Sequence, residues 1–252
     1  MNGKHRMAEN SIAIIGATSA IAQGVATLYA KQGCEFALVA RSKPKLDVVA
    51  ADLLARGASR VHSITSDLKD VSLHDGIVSN VMQQLGKVDI VILAHGLLYE
   101  QSEIDHDADA TVEVFEVNAT SMISLAQRFG SVLEAQGHGT LVGLSSVAGD
   151  RGRRALYAYG AAKAAVTEFL SGMRGRYLPL GIHVLTVKPG PVDTPMTKGR
   201  KLPPMASVDK VAKDIYNAIE RRKHVLYTPG IWRVVMGLLR AMPESVFQRL
   251  PI

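Results

Sequence analysis

"IIGATSAIAQG", Ile14 to Gly24, begins as an apolar strand and breaks at Gly16. Past Thr18 and Ser19 it takes up helical spacing, with Ile21, Val25, Leu28 and Tyr29 on one side. A strand that enters a helix across a glycine turn aims backbone N–H groups and the positive helix end at an anion. The same turn also serves as plain strand-to-helix packing. Ala20 and Ala22 moreover stand where a dinucleotide loop carries glycines. The stretch alone leaves both readings open.

Its strand-then-helix pattern repeats along most of the chain. Strand-like runs occur at 11–16, 35–40, 60–65, 88–94, 139–145, 182–187 and 224–228, with helical spacing between them. Near-continuous apolar strands imply burial on both faces, and helical crossovers make neighbouring strands parallel. The expected fold class is therefore α/β, a doubly wound parallel sheet of about seven strands with helices on both faces. One domain is expected over 11–229, after a flexible segment 1–10 and before an apolar helical tail, 230–252. Such a sheet binds ligands beyond the carboxyl ends of its strands.

Composition agrees with a folded chain that spans no membrane. Of 252 residues 47% are hydrophobic and 21% charged, and no apolar run reaches the length of a membrane span. The opening "MNGKHRMAEN" lacks the apolar core of a secretory signal. The single cysteine, Cys34, forms no internal disulfide and reads as a buried, inert thiol. A cytoplasmic location follows as an expectation. The net charge is +6, with basic clusters at 151–154, 198–201 and 221–223. None is interleaved with aromatics as on a nucleic-acid surface, so no nucleic-acid partner is expected. Solvated faces are one reading of these clusters; an anionic substrate or membrane surface is the other.

The chemistry concentrates in "SSVAGDRGRRALYAYGAAKAA", Ser145 to Ala165. Tyr159 and Lys163 stand four apart in a helical pattern, which stacks phenol and ammonium on one face. A free phenol titrates near pH ~10, and a neighbouring ammonium favours the phenolate. A serine at the sheet edge could hydrogen-bond the same substrate oxygen. Tyr157 has Ala161 at the equivalent place, so it is the poorer candidate.

With these residues the chain resembles the short-chain dehydrogenase/reductase family, roughly over residues 11–228. The matching signs are Tyr159-x-x-x-Lys163, Ser146 thirteen positions earlier, Asn118 in the preceding long helix, and "PGPVDTPM" from Pro189 to Met196. Together and in this order they are highly specific. The resemblance implies a Rossmann-type fold and NAD(P)-dependent hydride transfer between a carbonyl and an alcohol. It implies Tyr159 as general acid in reduction, with Lys163 lowering its pKa and holding the nicotinamide ribose. Ser146 would polarise the carbonyl, and Asn118 would hold a water that links Lys163 to solvent. Thr194, following Pro189, Gly190 and Val192, would contact the carboxamide. No metal is implied.

The cofactor loop departs from the family's usual residues. Ala20 and Ala22 add methyl groups that a right-handed helical backbone still tolerates, while Thr18 and Ser19 offer hydroxyls beside Ile21. The cradle is altered, not broken. "LAHG", Leu93 to Gly96, replaces the usual Asn-Asn-Ala-Gly, so Ala94 and His95 stand in for bracing residues. His95 reads either as packing or as a donor to ribose or substrate. Asp67, followed by Leu68, matches the position that meets the adenine edge. Arg41 ends the second strand with Lys43 close by and no carboxylate before Asp47. An arginine there accommodates a 2′-phosphate, so NADP(H) is expected over NAD(H).

For the substrate, the tail "GIWRVVMGLLRAMPESVFQRLPI", the "GATS" turn and the "HG" pair resemble the branch of decaprenylphosphoryl-2-keto-ribose reductases. That branch reduces a keto-sugar on a polyprenyl phosphate. A 3-oxoacyl thioester on a carrier protein is the competing substrate, and a non-catalytic dinucleotide-binding regulator the reading from another class. In the tail's first helical part Arg233, Gly237 and Arg240 share a face, with apolar residues around the rest. Either the tail packs on protein, or it forms a lipid-facing lip that gives peripheral membrane contact. By analogy with the family a homodimer or homotetramer is expected.

Overall fold

The computed structural model of the chain describes residues 10–199 and 205–250. The expected segment 1–10 thus lies, apart from Asn10, outside the described residues, as does 200–204 of the loop following Thr194.

Among the described residues seven strands form one sheet. They are β1 (Ser11–Ile15), β2 (Glu35–Ala40), β3 (Arg60–Thr65), β4 (Ile90–Leu93), β5 (Thr140–Leu144), β6 (His183–Pro189) and β7 (Val225–Thr228). Their order is β3-β2-β1-β4-β5-β6-β7, and every pairing is parallel. The expected runs are met within two residues at each end. β1 lies between β2 and β4, with Ile14 opposite Leu38 on one side and Ile92 on the other. The chain winds outward in one direction from β1 to β3 and in the other from β4 to β7. A crevice therefore opens beyond the carboxyl ends of β1 and β4.

The longer helices are α1 (Ala20–Ala30), α2 (Lys43–Ala55), α3 (His74–Leu85), α6 (Ser121–Gln136), α7 (Tyr157–Tyr177), α8 (Val208–Glu220) and α9 (Ile231–Ala241). Shorter ones are α4 (Gln101–Ile104), α5 (Ala108–Phe115) and α10 (Glu244–Phe247). Alternation along β1 divides the core. Ile12 and Ile14 join Tyr29, Leu46 and Ile215 from α1, α2 and α8. Ala13 and Ile15 face the layer of α3, α6 and α7, among Phe129, Leu170 and Tyr177. Burial on both faces explains why β1, β2, β4 and β5 read as nearly unbroken apolar runs, whereas the edge strands β3 and β7 are partly exposed. Between α5 and α6 the helix loosens into a π-turn, Glu116–Thr120, with Asn118 fully buried inside it.

Candidate active site

β5 delivers the chain to Ser145 and Ser146, and a 3-10 turn, Val147–Asp150, carries it toward α7. That turn lies hard against α7. A Cβ on Gly149 would sit 2.7 Å from the Ala164 nitrogen, and one on Gly160 2.8 Å from the Ala148 oxygen. Two glycines thus let the serine turn approach the tyrosine helix. The serines have different duties. Ser145 donates its hydroxyl to the Lys163 carbonyl at 2.9 Å and is buried, whereas Ser146 Oγ accepts from Ala148 N at 3.1 Å and keeps its own hydrogen to donate.

Lys163 is 3% exposed and donates from Nζ to the Leu144 carbonyl at 3.0 Å. Burial alone pulls its pKa down to about 7. Its ammonium lies 5.7 Å from the centre of the Tyr159 ring. Tyr157 points elsewhere: it is exposed, and its hydroxyl donates to Asp105 at 2.8 Å.

Asn118 is fully buried. Its Nδ2 donates to the carbonyls of Leu97 (2.8 Å) and Val114 (2.9 Å), and its Oδ1 accepts from Leu97 N at 3.0 Å. It takes up the Val114 carbonyl where the helix loosens, and it fastens the chain after β4. A Cβ on Gly96 would be 2.9 Å from its Oδ1. The side chain therefore sits directly behind the cavity wall.

Two connected lobes fill the crevice. The smaller, about 190 Å³, gathers Ser146, Tyr159, Lys163, Pro189, Gly190, Val192 and Thr194. The larger, about 480 Å³, gathers Gly16, Thr18, Ser19, Ala20, Ile21, Arg41, Asp67, Leu68, Ala94, His95, Gly96 and again Thr194. Gly16 has φ +87°, and a Cβ there would come within 2.5 Å of His95 N, so only glycine permits this turn. Ser19, the N-cap of α1, makes no side-chain cap bond, which leaves the first N–H groups of the helix open to a ligand. A crevice with an open helix N-terminus fits a dinucleotide, its pyrophosphate over α1.

His95 belongs to a brace. The Ser121 hydroxyl donates to the Leu68 carbonyl and lies 3.0 Å from His95 Nε2, and His74 Nε2 reaches the same carbonyl at 3.0 Å. Burial pulls the His95 pKa down to about 3, so the ring is neutral. Through the His95 Nε2–Ser121 Oγ contact, α6 is tied to the loop that carries Asp67 and Leu68. His95 thus takes part in the packing, while its ring also borders both lobes of the crevice described above.

Comparison with known proteins follows the same line. The family profile for short chain dehydrogenases matches residues 10–203. An uncharacterized oxidoreductase of Streptomyces coelicolor is 33% identical over 96% of each chain. Another, from Mycobacterium tuberculosis, is 32% identical over 95% of this chain and 96% of the relative. The chain belongs to the short-chain dehydrogenase family. As such it is an NAD(P)-dependent oxidoreductase. Two solved short-chain dehydrogenases share its fold. One, from Burkholderia cenocepacia in complex with NADP, has a TM-score of 0.82, with 21% identity, covering 98% of this chain and 99% of that one. The other, from Sphingobium yanoikuyae in complex with NADPH, has a TM-score of 0.81, with 25% identity, covering 94% and 97%.

The larger lobe of this dehydrogenase also has residues in its wall that the sequence did not announce. Lys69, Tyr99 and Glu113 line the larger lobe; Glu113 accepts from Tyr99 at 2.7 Å and Lys69 at 3.1 Å. Those two partners hold its carboxyl below the usual carboxylate range. No periodicity links a loop, a turn and a helix so far apart. Lys43, by contrast, is drawn to Asp47 at 2.9 Å rather than toward Arg41.

The tail packs on its own domain. Trp232 lines the smaller lobe, and a Cβ on Gly190 would overlap its ring; Met236 and Phe247 are buried. Arg151 staples the segment, donating to the carbonyls of Leu239 and Met242, pairing with Glu244 at 2.7 Å and stacking over Phe247. Ile231, Val234 and Leu238 remain 60–68% exposed, as are Arg233, Gly237 and Arg240, so part of the helix's apolar surface is left uncovered. Among the described residues no helix is long and apolar enough to cross a membrane.

Proposed function

We propose that the chain reduces a ketone to an alcohol with NADPH, using Tyr159 as the proton donor. The observation that carries this reading is the meeting of Ser146, Tyr159 and Lys163 on one wall of the smaller lobe, beside the lobe that fits a dinucleotide. Held along the larger lobe and beside Lys163 and Thr194, NADPH would supply the hydride that reduces the carbonyl. Ser146 donates its free hydroxyl hydrogen to the carbonyl oxygen, and the Tyr159 phenol gives that oxygen its proton as charge develops. Lys163, whose pKa lies near neutrality, favours the phenolate left behind and holds the ribose. Asn118 acts as a positioning residue through the Gly96–Leu97 backbone, and Thr194 supports the carboxamide.

Arg41, exposed on the wall of the larger lobe, supports NADP(H) through a charge-assisted bond to the 2′-phosphate. The structural neighbours solved with NADP and NADPH accord with that choice. On the substrate side, Trp232 in the wall and exposed Ile231, Val234 and Leu238 nearby favour a carbonyl compound with a long apolar part. A polyprenyl-phosphate-linked keto-sugar meets that description better than a 3-oxoacyl thioester on an acidic carrier. A cytoplasmic homodimer or homotetramer, touching the inner membrane face through the tail, belongs to the same proposal. The test is NADPH consumption by purified protein with both substrates side by side: turnover of the keto-sugar alone supports this choice, and turnover of the thioester alone reverses it.

A further inference from the structure

Three arginines follow the serine turn, and their environments divide sharply. Arg151 is committed to the tail, and Arg154 is exposed. Arg153 turns inward. It lines the smaller lobe with Ser146 and Tyr159, and its Nε is buried without a hydrogen-bond partner among the described residues.

The carboxylate that attracts it is already occupied. Asp150 attracts Arg153 electrostatically, but its Oδ1 takes the Lys188 ammonium at 2.5 Å and its Oδ2 the Tyr227 hydroxyl at 2.7 Å. Both Asp150 and Lys188 are buried, so this pair is satisfied internally. A guanidinium does not shed its proton to escape burial, so a neutral Arg153 is no solution. The walls beside it, Leu156, Met196 and Trp232, offer bulk and almost no acceptors. A guanidinium in the wall of a mostly apolar chamber, its Nε without a partner among the described residues, offers donors for one oxyanion bound through two oxygens.

We infer that Arg153 is the anion-recognition residue of the substrate lobe, and that the substrate is a carbonyl compound bearing a carboxylate or phosphate group beside an apolar body. The inference rests on reading that lobe as the carbonyl site. It assigns specificity to Arg153 and leaves the chemical step to Ser146, Tyr159 and Lys163.

The experiment is calorimetric titration of the NADPH-loaded protein with benzoate, phenyl phosphate and neutral benzamide. Loading keeps the probes out of the larger lobe. The anion that matches the native group should bind at least ~10-fold more tightly than benzamide, and the order of benzoate and phenyl phosphate distinguishes carboxylate from phosphate. Arg153→Gln should weaken that anion by about 10- to 100-fold and leave benzamide unchanged. Arg153→Lys should recover part of the loss, and Arg154→Gln should lose nothing. Undiminished NADPH affinity in the variants shows that they are folded; the selectivity of the unaltered protein gives its answer even if Arg153→Gln does not fold. No preference for either anion, or full anion affinity in Arg153→Gln or a loss as large in Arg154→Gln, overturns the inference. Ketone turnover is measured in parallel. Anion binding through Arg153 without any ketone reduction defeats the proposed reaction and leaves this site standing; ketone reduction without anion preference does the reverse.

Discussion

Lys163 Nζ lies 5.7 Å from the centre of the Tyr159 ring, one turn further along α7, and donates to the Leu144 carbonyl behind it. The ammonium is buried without a carboxylate partner among the described residues, which is why its pKa falls to about 7. A cation held this way is poorly stabilised by the fold itself and is available to a phenolate.

That arrangement has a cost in stability. In the unfolded chain Lys163 keeps its proton to about pH 10.5, whereas in the native chain it loses it near pH 7. Between those values the unfolded state binds more protons, so this group's destabilising effect is full below pH 7 and fades as pH rises. Lys163→Met should therefore raise the Tm of the ligand-free protein most at about pH 6, and by less at about pH 9. Each kcal/mol corresponds to roughly 2–4 °C for a chain of this size. Thermal melts at both pH values check it, and a lower Tm in the variant at both would contradict it.

Arg41 should decide the cofactor. One charge-assisted contact contributes roughly 1.5–3 kcal/mol, or about one to two decades in affinity. NADPH should bind correspondingly more tightly than NADH, and Arg41→Asp should reverse the order. Equal affinities for the two cofactors in the unaltered protein, measured by calorimetry, would remove the assignment.

Gly16 should tolerate no side chain. Alanine there would take φ +87° and press its Cβ to 2.5 Å from His95 N. Gly16→Ala should destabilise the fold by about 1–3 kcal/mol and weaken dinucleotide binding at the same time. Chemical denaturation and cofactor titration give the two readings; unchanged values in both would mean the turn is looser than described.

Much of this was legible in the sequence because it is local. Strands buried on both faces read as nearly unbroken apolar runs, and Tyr159 and Lys163 meet because four residues make about one helical turn. Arg41 and Asp67 could be placed because they follow strands. Features made by long-range contact were not legible. Lys69, Tyr99 and Glu113 come together only through the packing of loops, and the π-turn around Asn118 adds one residue to an otherwise ordinary helical pattern. Nothing in Trp232 or Gly190 alone announces that the ring fills the space a side chain would take. The three close-set arginines looked alike in sequence; only the fold separates the one that staples the tail from the one that faces the lobe.

The tail gives a further prediction. Exposed Ile231, Val234 and Leu238 contribute little to its packing, while exposed Arg233, Arg240 and Arg249 lie along the same segment. The protein should co-sediment with anionic liposomes at low salt and release at moderate salt. Replacing the three apolar residues by serine should abolish binding without lowering Tm. If the unaltered protein stays in the supernatant at low salt, the tail is a packing element alone.

The central claim is that the Tyr159 phenol delivers the proton in NADPH-dependent ketone reduction, and Tyr159→Phe tests it most directly. The change removes the hydroxyl and keeps the ring. NADPH oxidation with a ketone substrate should fall by about 100-fold or more, within the range of general acid catalysis, while NADPH affinity stays the same. A Tyr159→Phe protein that keeps most of its turnover, particularly if Tyr157→Phe does not, would contradict the account.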